Sequence, residues 1–151
     1  MPAEKGGNTG LRISEIYAFD RKNTVKLPLY LSKIKAGFPS PADDYIDKKL
    51  DLNEYLVKHP AATFYVKVEG NSMIDAGIRS GDTLIVDRAL EVADGKIIVA
   101  VLNGEFTVKR IKKKRGQLFL MPENPEYPPI EVKKDSDFKV WGVVTAVIHQ
   151  M

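Results

Sequence analysis

From residue 61 to the C-terminus the chain is a series of short alternating segments separated by glycine-bearing turns, and this pattern limits the possible folds most. Phe64, Val66 and Val68 fall on one side of an extended segment, and Tyr65, Lys67 and Glu69 on the other. That period of two is what a half-buried β-strand requires. Similar β-branched and aromatic stretches follow at 83–88, 96–102, 105–111, 117–121 and 138–148. Asn103-Gly104, set between two of them, signals a two-residue hairpin, because both turn positions need a positive φ. Only one helix is predicted, over 51–58. There Asp51 and Glu54 have capping-box spacing and Leu52, Tyr55 and Leu56 form an apolar face ahead of His59-Pro60. The body therefore reads as mainly β with one short helix.

The first third reads differently. Residues 1–10 carry no periodic pattern, and Ala36-Gly37-Phe38-Pro39-Ser40-Pro41 cannot form a regular helix. Proline lacks the amide donor and pushes the residue before it towards extended geometry. This segment marks a boundary between an N-terminal arm, 1–36, and a body, 37–151, and it is an extended peptide of the kind a protease can cut. Charge divides at the same place. The arm holds seven Lys/Arg against three Asp/Glu, and the body sixteen against seventeen. A basic arm can touch nucleic acid or an acidic partner, although a solvated tail is the simpler expectation. The run Lys112-Lys113-Lys114-Arg115 before Gly116 is expected to be a solvated hairpin tip rather than a nucleic-acid contact.

Several function classes drop out. The chain has no cysteine and two histidines, His59 and His149, so disulfides, thiolate metal sites and cysteine nucleophiles are excluded. No metal or cofactor is expected. The apolar runs fall short of the roughly 20 residues that span a bilayer, and residues 1–10 lack a signal-peptide core. The expected location is the cytoplasm.

Two segments could carry chemistry. In Gly70-Asn71-Ser72-Met73, directly after a strand, glycine permits a sharp turn. A serine there can present its hydroxyl while its own amide, together with that of Asn71, faces an oxyanion. Serine needs a base to take its proton. Neither histidine has a recognisable triad context. Lys109, in Phe106-Thr107-Val108-Lys109, is the other candidate, because burial on such a strand disfavours the ammonium form. On residue type alone, a locally bonded turn serine and a surface lysine remain the ordinary alternatives.

Residues 69–88 resemble the signature of the LexA-like S24 self-cleaving serine peptidases, with its Ser-Met pair, Gly-Ile, Gly-Asp and Leu-Ile-Val-Asp strand. Residues 105–110 resemble that family's lysine strand, and Ala36-Gly37 its self-cleavage bond. Similarity to the UmuD branch runs on through 37–45, 51–53 and Trp141-Gly142-Val143-Val144. The resemblance implies a twisted β fold after an extended arm, Ser72 as nucleophile, Lys109 as general base, and the Asn71 and Ser72 amides as oxyanion hole. Ala36 and Gly37 would flank the scissile bond; UmuD itself carries cysteine where this chain has Ala36. The implied partners are a second copy of the chain, the RecA–single-stranded DNA filament that triggers cleavage, and a Y-family polymerase subunit of the UmuC type. Direct DNA binding stays open.

Other readings compete with the UmuD type. A LexA-type repressor needs a helix-turn-helix domain before the cleavage site, and 36 residues without an amphipathic helix pair do not supply one. A signal peptidase shares local elements but carries a membrane anchor. A non-catalytic binding module would keep Ser72 and Lys109 as relics.

Overall fold

A computed structural model describes residues 11–18, 26–30 and 46–151. Ten strands dominate the described residues: β1 Leu11–Ala18, β2 Lys26–Tyr30, β3 Ile46–Asp51, β4 Thr63–Gly70, β5 Thr83–Asp87, β6 Ile97–Leu102, β7 Glu105–Lys114, β8 Gln117–Met121, β9 Ile130–Val132 and β10 Phe138–Ile148. Eight of them form one antiparallel sheet in the order β1-β4-β5-β10-β6-β7-β8-β9, and β2 pairs with β3. The large sheet curls so that β1 also lies against β7. The mainly β, LexA-like reading holds.

The alternation read from sequence becomes burial. Val66 and Val68 of β4 are inaccessible to solvent and join Leu11, Met73, Ile78, Leu84, Val86, Val99 and Val108 in one core cluster. Ile98, Ala100, Ile111, Leu120 and Val143 form a second. Adjacent residues of β6 enter different clusters, which is why this strand reads as a continuous apolar run. At the bulge in β10, the backbone of Gly142 passes so close to β5 that an added Cβ would lie 2.7 Å from Val86 Cγ1.

The hairpin at Asn103-Gly104 forms as expected, with both residues at positive φ (50° and 86°) and Leu102 facing Glu105 across the turn. Three expectations are corrected. The helix is shorter than 51–58. It spans α1, Leu52–Leu56, with Asp51 Oδ1 accepting from the Asn53 amide at 3.0 Å. Val57 leaves it with extended geometry and is buried, while Leu52 and Tyr55 of the supposed apolar face stay exposed. The first third, expected to be irregular with only a short apolar stretch at Leu27-Pro28-Leu29, holds strands β1 and β2 among the described residues. Leu11 is fully buried, but a bulge between Ile13 and Glu15 breaks the period of two. Finally, Lys112, Lys113 and Lys114 are strand residues. The turn itself is Arg115-Gly116, at φ 51° and 78°.

Candidate active site

β4 ends at Gly70, whose φ of 115° is open to glycine and strained for other residues. The chain then turns through Asn71-Ser72-Met73 into a short 3-10 segment, Ile74–Ala76. The Asn71 carbonyl accepts from the Ile74 amide at 3.2 Å, and the Met73 carbonyl from those of Ala76 (3.0 Å) and Ile78 (3.2 Å). The Asn71 and Ser72 amides are thus not donors in closing this turn among the described residues. Met73 anchors it, its side chain fully buried in the first core cluster.

The loop after β8 clamps the turn from outside. The Glu123 amide donates to the Ser72 carbonyl, and the Asp75 amide to the Glu123 carbonyl, both at 2.8 Å. Asn124 Nδ2 donates to the Asn71 carbonyl at 2.9 Å. Ser72 is therefore held by main-chain bonds on both sides.

Lys109 enters from β7, in register with Ile98 of β6. Its Nζ donates to Ser72 Oγ at 3.3 Å and to Thr107 Oγ1 at 2.9 Å, and all three side chains are buried. Thr107 and Lys109 are two apart on one strand, so their side chains leave the same face. Desolvation lowers the Lys109 pKa from 10.5 to about 8, because burial removes water from the ammonium. A minority of the amine is then neutral at pH 7, and it is already within reach of the hydroxyl.

The structure brings together Ser72 and Lys109, with Asn71 next in the chain. Ala36 and Gly37 lie outside the described residues. The histidines are engaged elsewhere. His59 Nδ1 pairs with Asp87 Oδ2 and His149 Nδ1 with Asp82 Oδ1, each at 2.6 Å. Sequence reading missed Thr107, since threonine on a strand is unremarkable by type. The usable signal was its i−2 position to a candidate base. Among the described residues, no helix is long and apolar enough to cross a membrane.

Comparison with known proteins shows the family. The family model described as Peptidase S24-like matches residues 28–145. Protein SamA of Salmonella typhimurium is 46% identical over 123 residues, covering 82% of this chain and 85% of SamA. Protein MucA of Escherichia coli is 47% identical over 120 residues, 79% of this chain and 82% of MucA. The LexA repressor of Pseudomonas chlororaphis is 36% identical over 146 residues, 96% of this chain and 70% of the repressor.

Proposed function

Because the chain belongs to the Peptidase S24-like family and is similar over most of its length to UmuD-type members, we propose that it is a self-cleaving serine peptidase of SOS mutagenesis that cuts itself between Ala36 and Gly37 with a Ser72–Lys109 dyad. One observation carries the dyad: a fully buried lysine amine, depressed to a pKa of about 8, lies 3.3 Å from a fully buried serine hydroxyl. Taking two such groups out of water is costly, and this pair has the right chemistry for proton transfer.

The steps follow from the atoms. When Lys109 is neutral its lone pair accepts the Ser72 proton, and Ser72 Oγ bonds to the Ala36 carbonyl carbon. The Asn71 and Ser72 amides take the oxyanion. Collapse breaks the Ala36–Gly37 bond, and the Lys109 ammonium returns its proton to the departing Gly37 amine. Water, deprotonated by the neutral Lys109 amine, then bonds to the Ala36 carbonyl carbon; the bond to Ser72 Oγ breaks, and Lys109 returns the proton to that oxygen. Thr107 Oγ1 holds the lysine in place throughout. The arm, 1–36, separates from the body, 37–151.

By family resemblance, cleavage occurs in the cytoplasm and is stimulated by the RecA–single-stranded DNA filament. The cut body, as a homodimer, serves a Y-family polymerase subunit in translesion synthesis. Intact mass spectrometry after incubation with activated RecA filament tests the reading. Fragments 1–36 and 37–151 are expected, and both Ser72→Ala and Lys109→Ala should lower the cleavage rate by about a thousandfold or more, since nucleophile and base act as a unit. Continued cutting in Ser72→Ala, or fragments ending elsewhere, contradicts it.

A further inference from the structure

The far end of β7 carries a feature that peptide cleavage does not use. Lys112, Lys113 and Lys114 are exposed strand residues, Arg115 caps the turn, and Lys133 and Lys134 follow directly after β9. β7, β8 and β9 are neighbours in the sheet, so these six cations gather at one edge. None takes part in an ion pair among the described residues. The body as a whole is near neutral, with sixteen basic and seventeen acidic residues. The same edge holds three carboxylates: Asp94, whose Oδ1 accepts from the Lys113 amide at 2.7 Å, Glu131 and Asp135. Setting it aside leaves ten basic residues against fourteen acidic ones. The positive charge is therefore concentrated on an otherwise acidic body.

Register adds an aromatic. Lys112 faces Phe119 across the β7–β8 ladder, and Lys114 faces Gln117. Directly opposed residues share a face, so Lys112, Lys114 and Phe119 lie together. That face is opposite the one on which Ile111, Leu118, Leu120, Ile130 and Val132 pack into the second core cluster. Phe119 is only half-buried. Glu131, the carboxylate opposite Phe119, accepts a hydrogen bond from Gln117 Nε2 at 3.3 Å. Lysines at alternate strand positions stand about 6–7 Å apart, comparable to successive phosphates on an extended strand of nucleic acid.

We propose that the β7–β8 ribbon is a binding site for single-stranded nucleic acid, with backbone phosphates on Lys112, Lys114 and Lys133 and a base stacked on Phe119. Cations alone would suit any polyanion. An accessible ring among them selects unpaired bases, because a base buried in a duplex stack offers no free face.

Fluorescence anisotropy with a labelled oligothymidylate tests this on the full chain, with Ser72→Ala in every sample so that the basic arm stays attached and constant. Replacing Lys112, Lys114 and Lys133 together by Gln should weaken binding at least tenfold and reduce the log–log salt slope by about 2, at roughly 0.7 per lost single-strand phosphate contact. Phe119→Leu should weaken binding about tenfold with the slope unchanged, and Phe119→Tyr should retain it. Unchanged affinity and slope in the triple variant overturn the proposal and assign binding to the arm. Equal binding of duplex or polyglutamate, with Phe119→Leu silent, overturns it in favour of a non-selective polyanion contact.

Discussion

Lys109 and Lys112 lie three residues apart on the same strand and have opposite surroundings. Lys109 is fully buried, bonded to two hydroxyls, and depressed to a pKa of about 8. Lys112 is exposed beside Phe119. The same side chain is suited to proton transfer at one point and to charge recognition at the other. The difference comes from what the strand passes: the Ser72 turn and two core clusters at its centre, solvent at its end. Residue type sets what a lysine can do, and desolvation decides which of its two forms is used.

Stability can break this comparison most sharply. The Lys109 pKa is about 8 in the folded chain against a reference of 10.5. Between those values the unfolded chain holds the extra proton, so stability rises with pH across that window. Below about pH 8 both states are protonated and the folded protein bears the full cost of a buried ammonium. Lys109→Met should therefore raise unfolding stability at pH 7 by up to about 3 kcal/mol, at 1.36 kcal/mol per pKa unit. Lost hydrogen bonds reduce that gain, and it should disappear towards pH 10.5. Urea unfolding at pH 7 and pH 10 in a Ser72→Ala background measures it. A Lys109→Met variant that is less stable at pH 7 would mean the lysine is not desolvated.

A smaller effect should separate placement from basicity. Thr107→Val keeps the buried volume and removes the oxygen that accepts from Lys109 Nζ at 2.9 Å. Maximal self-cleavage should fall about tenfold, near the 1–1.5 kcal/mol scale of one hydrogen bond. The pH at half-maximal rate should move down, because that oxygen favours the charged amine. A lower plateau without a shift would leave Thr107 a packing residue only. The smallest effect belongs to the exposed comparator: Lys112→Met should change unfolding stability by no more than about 0.5 kcal/mol at either pH.

Much of the fold was legible because its central strands obey one period. β4 to β8 and β10 show themselves through β-branched alternation and the Asn103-Gly104 turn. β1 was hidden by its bulge, and β9 by being three residues long beside Pro128 and Pro129. β2 contains Pro28, which demotes a strand reading. α1 stopped early because Val57 is buried in extended form rather than continuing the turn. At the site, Ser72 and Lys109 were identifiable by motif and order. The depth of their burial and the part of Thr107 were not, since both depend on how β7 packs rather than on residue type.

The claim that Lys109 is the base is tested most directly by the rate of unassisted self-cleavage from pH 6 to 11, followed by gel without RecA. A base with a pKa of about 8 predicts a rate rising about tenfold per pH unit below that point and level above about pH 9. A rate already level near pH 7.5, as a histidine of pKa about 6.5 would give, would contradict it.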